Sequence, residues 1–278
     1  MRRNRSILFV GGGRITSALC SGLRLGKYRR EIVVYDPNPD KLRALRAESR
    51  VTIADDFHEA LSRVEILIVA VRPGSVPGVL QEIADCGTSP GLCVSLAAGI
   101  PLAALRRFVA KPVRWVRAMP SPVSRVGRGL TAISFEPGVS MRERARIHEL
   151  FKTVGQVIEL PERNFDAFTA TYSSSHGYHA LATLASAAQR AGLDQRTALT
   201  AAAHALADGI HYWRESGLKL DDLLQEAVTP GGIAAATMEA MDKSGYRKAV
   251  QKGIQAGISQ ARRNAASQKI SKAVPRSI

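Results

Sequence analysis

Gly11-Gly12-Gly13 stands directly behind the apolar run Ser6-Ile7-Leu8-Phe9-Val10 and ahead of an amphipathic segment from Arg14 to Leu25. A strand, a glycine turn and a helix in that order make a seat for a pyrophosphate. Gly11 supplies the tight turn and Gly13 lets the pyrophosphate approach the backbone. Arg14 and Ile15 then open a helix whose first N–H groups and positive dipole end face the anion. The third small position of Gly-x-Gly-x-x-Gly/Ala falls on Thr16, so the fingerprint is incomplete. A second apolar run over 31–35 ends in Asp36, placed where an acid can hold a ribose diol. That acid repels a 2′-phosphate and favours NADH, whereas Asn38 and Lys41 in the next turn could accommodate NADPH; the expected cofactor is NADH or NADPH.

Three further loops follow apolar runs: Ala70-Val71-Arg72-Pro73, Ser95-Leu96-Ala97-Ala98-Gly99-Ile100 and Arg117-Ala118-Met119-Pro120-Ser121-Pro122. In a doubly wound sheet the carboxyl ends of strands face the ligand crevice, and small residues there admit a flat nicotinamide. Arg72 could address a phosphate or ribose; taken singly, the prolines could merely end strands. Two later breaks, Tyr172-Ser173-Ser174-Ser175-His176-Gly177 and Val228-Thr229-Pro230-Gly231-Gly232, each precede a helical pattern. Unpaired N–H groups and hydroxyls at a positive helix end suit a carboxylate, although capping by Ser175 or Thr229 explains each break equally well. His204, Asp208 and His211 share one helix face and His176 and His179 are three apart, but nothing completes a metal site, and none is expected. Ser173 to Ser175 lack the strand-turn-helix setting of a hydrolase nucleophile.

The elements that must position these groups read as two regions. Short β-rich runs at 51–53, 66–71, 92–96, 113–117, 130–135 and 157–160 alternate with helical spacing at 75–85, 101–109 and 141–154, the βα rhythm of a parallel sheet. After Asn164 the strands stop, and alanine-rich helical segments cover 178–191, 197–216, 220–227, 233–244 and 246–264. Small apolar faces of this kind suit burial against a second subunit.

Composition bounds the remaining classes. A chain of 278 residues can bury two cores. No apolar run approaches the roughly 18 residues of a membrane span and no secretory pattern is present, so a cytoplasmic protein is expected. Cys20, Cys86 and Cys93 have no metal-like spacing and read as free thiols. The net charge of +15 invites a nucleic-acid partner, but +3 comes from Arg2, Arg3 and Arg5 and +9 from basic residues after Asp242, where no acid occurs. Without interleaved aromatics these ends read as solvated, and nucleic-acid binding is not expected.

The order of motifs resembles pyrroline-5-carboxylate reductase, the enzyme of the last step in proline synthesis, over nearly the full length. That family shows a glycine turn, a Val-Lys-Pro loop, an Ala-Ala-Gly-Ile loop, Arg-Ala-Met-Pro-Asn, Gly-Ser-Gly-Pro-Ala and Ser-Pro-Gly-Gly-Thr-Thr. The matching positions are Gly11 to Gly13, Val71-Arg72-Pro73, Ala97-Ala98-Gly99-Ile100, Arg117-Ala118-Met119-Pro120-Ser121, Ser173-Ser174-Ser175-His176-Gly177 and Thr229-Pro230-Gly231-Gly232-Ile233-Ala234. The cofactor side departs mildly, at Arg72 and Ser121. On the substrate side two glycines become Ser173 and Ser175, proline becomes His176, and two threonines become Ile233 and Ala234.

The resemblance implies an NAD(P)-binding Rossmann-type domain over 1–162 and a helical dimerisation and substrate domain over 163–264; the composition of 265–278 reads as a disordered basic tail. It implies a homodimer, or a higher oligomer of dimers, acting on a small-molecule imine. Ser174 and Thr229 are the hydroxyls expected to orient substrate, His176 a candidate proton donor, and Gly231 and Gly232 backbone contacts. The implied activity is NAD(P)H-dependent reduction of the C=N bond of a small cyclic imino acid, by default 1-pyrroline-5-carboxylate. The alternatives are a paralogue reducing a different imine in a specialised pathway and a non-catalytic nucleotide-binding regulator.

Overall fold

A computed structural model describes residues 6–87, 90–109 and 112–267. The first unit is built from β1 (Ile7–Val10), α1 (Arg14–Leu25), β2 (Ile32–Tyr35), α2 (Pro39–Ser49), β3 (Thr52–Ile53), α3 (Phe57–Arg63), β4 (Ile66–Val69), α4 (Val76–Asp85), β5 (Leu92–Ser95), α5 (Leu102–Phe108), β6 (Arg114–Met119), β7 (Gly129–Phe135), α6 (Met141–Lys152), β8 (Gly155–Glu159) and α7 (Phe165–Thr171). The eight strands lie in the order β3-β2-β1-β4-β5-β6-β7-β8. The chain starts in the middle of the sheet, builds one way to β3 and then returns past β1 to β4, so the switch point falls between β1 and β4.

β1, β4 and β5 are buried at every residue because helices cover both faces, which is why they read as unbroken apolar runs. One face packs Leu19 and Leu23 of α1 with Ile147 and Phe151 of α6; the other packs Leu61, Leu80, Leu105 and Trp115. One strand pair departs from the expected parallel sheet: β7 runs antiparallel to β6, with β8 parallel to β7. The linker over 120–128, mostly a 3-10 turn at Pro122–Val126, is too short for a crossover, which takes a dozen residues or more. Helices α2 and α3, unread in the sequence, bury only two residues each.

The remaining helices are α8 (Ser174–Arg190), α9 (Gln195–Ser216), α10 (Leu220–Glu226), α11 (Ile233–Lys243) and α12 (Tyr246–Ser267). The second compact unit is Ser173–Gln255; the sheet unit runs through Tyr172 and takes back the chain from Ala256. The sheet unit thus passes the expected boundary at 162 because Phe165 is fully buried in it and Asp166 faces the buried Arg117 of β6. Helix α12 carries the chain through Ser267, so 265–267 are helical rather than tail; 268–278, where the rest of the expected tail falls, lie outside the described residues, as do Arg2, Arg3 and Arg5. Among the described residues no helix is long and apolar enough to cross a membrane.

Candidate active site

At the end of β1, Gly11 has φ 105°, and a Cβ there would lie 2.7 Å from the Ala70 carbonyl oxygen; only glycine lets the turn pass β4. Gly13 is open, with nothing within 4 Å of where its Cβ would stand, and it begins α1 without any side-chain hydrogen bond to the first-turn amides. Those amides are available to an anion, beside the exposed Arg14 and half-buried Ile15. Thr16 is fully buried and its hydroxyl donates to the Gly11 carbonyl. The residue that made the fingerprint incomplete therefore ties down the turn.

Sheet hydrogen bonding continues past the strand ends: Ala70 N–H donates to Val10 at 2.8 Å and Leu96 N–H to Val69 at 2.9 Å. Ala70, Val71, Arg72 and Pro73 thereby start beside the glycine turn, and Ala97 and Ala98 beside them. Arg72 is exposed, and Ala97 is buried. The cradle that a Cβ would fill at Gly11, together with the uncapped start of α1, fits a dinucleotide pyrophosphate.

Asp36 ends β2 and is only 7% exposed. Its Oδ2 accepts the Gly12 amide at 2.7 Å and Lys41 Nζ at 3.1 Å; Oδ1 accepts the Asn38 amide at 2.8 Å. Burial pushes its pKa up, but the bonds from Gly12, Asn38 and Lys41 outweigh it, and the carboxyl sits below its ordinary value. Asp36 thus braces the turn, and Lys41 already offsets its charge. Asn38, also expected near the cofactor, uses its side chain to cap α2 by accepting from the Asp40 and Lys41 amides.

At the end of β6, Ser121 is buried and its hydroxyl lies 2.9 Å from the Tyr172 phenol oxygen. Arg117, quoted above as part of that loop, is a core residue: it pairs with Glu162 at 3.1 Å, faces Asp166 at 3.6 Å and lies 4.4 Å from the Phe165 ring centroid. Gly99 has φ 77°, and a Cβ there would lie 2.3 Å from the carbonyl oxygen of Ala261 in α12.

In the second unit, α8 begins earlier than expected. Ser173 is its cap, accepting from the Ser175 amide and lying 2.6 Å from the Ser175 hydroxyl, so Ser174, Ser175 and His176 occupy its first turn rather than a break before it. Ser174 is half-buried and His176 exposed. Thr229 does not cap α11: its carbonyl accepts the Gly232 amide at 2.9 Å, Gly231 turns the chain at φ 73°, and Gly232 starts the helix with no side-chain cap. Ile233 is 89% exposed, and Ala234 is exposed beside it. His204 pairs with Asp208 and His211 with Glu215; among the described residues no group of three or more His, Cys, Asp or Glu is placed to hold a metal.

The family model for pyrroline-5-carboxylate reductase dimerisation matches residues 162–264, and that for NADP oxidoreductase, coenzyme F420-dependent, matches 6–99. The chain is 30% identical to the pyrroline-5-carboxylate reductase of Mycobacterium tuberculosis across 91% of its own length and 94% of that protein. It belongs to the pyrroline-5-carboxylate reductase family. It is also 28% identical to the Escherichia coli enzyme of that name, over 88% of this chain and 93% of the other. The crystal structure of Plasmodium falciparum pyrroline carboxylate reductase with NADP bound superposes with a TM-score of 0.84 over 95% of this chain and 99% of that one, at 20% identity, which shows the shared fold. This family member has the Rossmann-type sheet followed by the helical region expected from its sequence.

The sequence names Thr16 and Tyr172 without showing what their hydroxyls hold, and gives Ala261 no role at all. Thr16 has a local signal, a hydroxyl five residues after the turn glycine it bonds. Ala261 and Tyr172 have none, because their partners Gly99 and Ser121 are distant in sequence.

Proposed function

We propose that this chain reduces the C=N bond of 1-pyrroline-5-carboxylate, giving proline, with NADPH or NADH as the reductant. The observation that carries this reading is the Gly11 turn with the uncapped first turn of α1 behind it, in a chain of this family. A bound dihydronicotinamide supplies a hydride, with both electrons, to the iminium carbon, whose protonated nitrogen becomes the secondary amine of proline. Gly11, Gly13, Arg14 and Ile15 hold the pyrophosphate, and Asp36, Asn38 and Lys41 shape the ribose end. The loops with Ala70, Val71, Arg72 and Pro73, Ala97 and Ala98, and Ser121 line the crevice. Because an iminium is already activated, the chain's chief tasks are alignment and exclusion of water.

Ser174 and Thr229 orient the substrate, with Ser173, Ser175 and the Gly231 and Gly232 amides near its carboxylate and His176 as a proton source. The exposed Ile233 and Ala234 provide amides at the start of α11 but no hydroxyls. That loss, with the serines and histidine at the start of α8, favours a second reading in which a different cyclic imine is the substrate. The homodimer is supported by exposed apolar side chains of the second unit, among them Leu199, Ile210, Tyr212 and Trp213. A cytoplasmic location is supported by free cysteines: burial pushes Cys20 up to about 12 and raises Cys93 as well, keeping both as unreactive thiols.

NAD(P)H oxidation with a panel of cyclic imines tests the reading. Turnover of 1-pyrroline-5-carboxylate supports it, and turnover only of another imine selects the second reading. Tight cofactor binding with no oxidation by any imine would sink both.

A further inference from the structure

Tyr172 ends the first of the two chain segments that make up the sheet unit, and the proposed reaction assigns it no role. Its phenol oxygen accepts the Leu130 amide at 2.8 Å and lies 2.9 Å from Ser121 Oγ. Ser121 lies near the start of the link between β6 and β7 and Leu130 is the second residue of β7, so one oxygen ties the start of that link to the strand that follows it. The backbone of Tyr172 is held as firmly: its amide donates to Phe168 at 2.7 Å at the end of α7, and its ring lies 5.3 Å from that of Phe168.

We propose that Tyr172 is a positioning residue for the cofactor, fixing the Ser121 hydroxyl at the carboxyl end of β6. The inference rests on the reading of Ser121 as a cofactor-lining residue. The direction of the bonds gives it content. An amide N–H can only donate, so the phenol oxygen accepts from Leu130. The phenol's single proton is then free to go to Ser121 Oγ. With the phenol as donor, the serine keeps its own proton for an acceptor in the crevice, which is what the carbonyl of a carboxamide needs. A phenylalanine at 172 would leave the Leu130 amide unpaired and the Ser121 hydroxyl free to rotate.

The test uses the full chain with Tyr172→Phe, Ser121→Ala and the double substitution. NADPH affinity is read by fluorescence titration without substrate, and Tm without cofactor. Each single variant is expected to weaken NADPH binding about fivefold, the equivalent of one hydrogen bond, and the double variant to lose no more than the weaker single. An unchanged Kd in either single variant, a fall in Tm without a change in Kd, or losses that multiply in the double variant would overturn the proposal. If Tyr172→Phe does not fold, Ser121→Ala decides alone, an unchanged Kd overturning it. The readout is binding, so absence of imine turnover would sink the reductase reading and leave this result standing.

Discussion

The Gly12 amide donates to Asp36 Oδ2 at 2.7 Å, so the glycine turn after β1 is tied directly to the end of β2. Three donors hold the folded pKa of Asp36 below its unfolded value. A depressed carboxyl contributes stability that is complete above the unfolded pKa, about 4, and is lost as pH falls through the lower folded value. Tm measured from pH 7 to pH 3 should therefore show Asp36→Asn below the unsubstituted protein at neutral pH, with the gap narrowing below about pH 4. A gap that stayed constant would mean that the charge of Asp36 contributes nothing.

Lys41 lies 3.1 Å from Asp36 and is half exposed, so the acid expected to repel a 2′-phosphate is already offset by a cation. Lys41→Ala removes that cation and leaves the carboxylate. NADPH should then bind about five- to tenfold more weakly, and NADH change by less than about twofold, since a charge-assisted contact contributes roughly 1–1.5 kcal/mol. Equal losses for both cofactors would show that Lys41 acts only by bracing the turn.

The contrast between Asp36 and its neighbours shows what a sequence makes legible. The β1 turn and the loops after β4, β5 and β6 were readable because a strand buried on both faces must be apolar throughout and its end must be marked by small or turn residues. Helices α2 and α3 were not, since each buries only two residues and its periodicity is drowned by charge. Strand direction at β7 was written in the length of the preceding link rather than in composition. In the candidate site, residue types were legible but commitments were not: whether Asp36 faces a ribose or a backbone amide, and whether Ser121 has a partner, depend on residues brought together only by folding.

Arg117 offers a test of what holds the chain after β8 to the sheet. Its side chain is 3% exposed, while Glu162 and Asp166 are about a third exposed, at 33% and 30%. Glu162 also accepts the Leu102 amide at 2.7 Å, so it serves two elements. Arg117→Ala leaves a cavity and two carboxylates that can still hydrate, and should cost about 3 kcal/mol in urea unfolding. Glu162→Gln keeps a neutral acceptor for Leu102 and should cost about 1 kcal/mol. If the two cost the same, the charge on Glu162 would matter more than the packing of Arg117.

Gly99 and Ala261 make the sharpest stability prediction, because their contact joins the loop after β5 to α12 across most of the chain. A Cβ at Gly99 would lie 2.3 Å from the Ala261 carbonyl oxygen and 2.9 Å from its carbon, and both atoms are backbone, so no side-chain rotation can relieve the clash. The φ of 77° adds strain for any residue with a Cβ. Gly99→Ala should therefore cost about 3 kcal/mol and lower Tm by roughly 5–10 °C. Gly78 in α4 provides the comparison, since nothing lies within 4 Å of where its Cβ would stand. There alanine should stabilise by about 0.5 kcal/mol through lost backbone entropy of the unfolded chain. Hydrogen exchange separates two origins of the Gly99→Ala loss: protection that falls in α12 around Ala261 while β5 stays protected places it in the displaced helix. Uniform loss would place it in the strained loop itself.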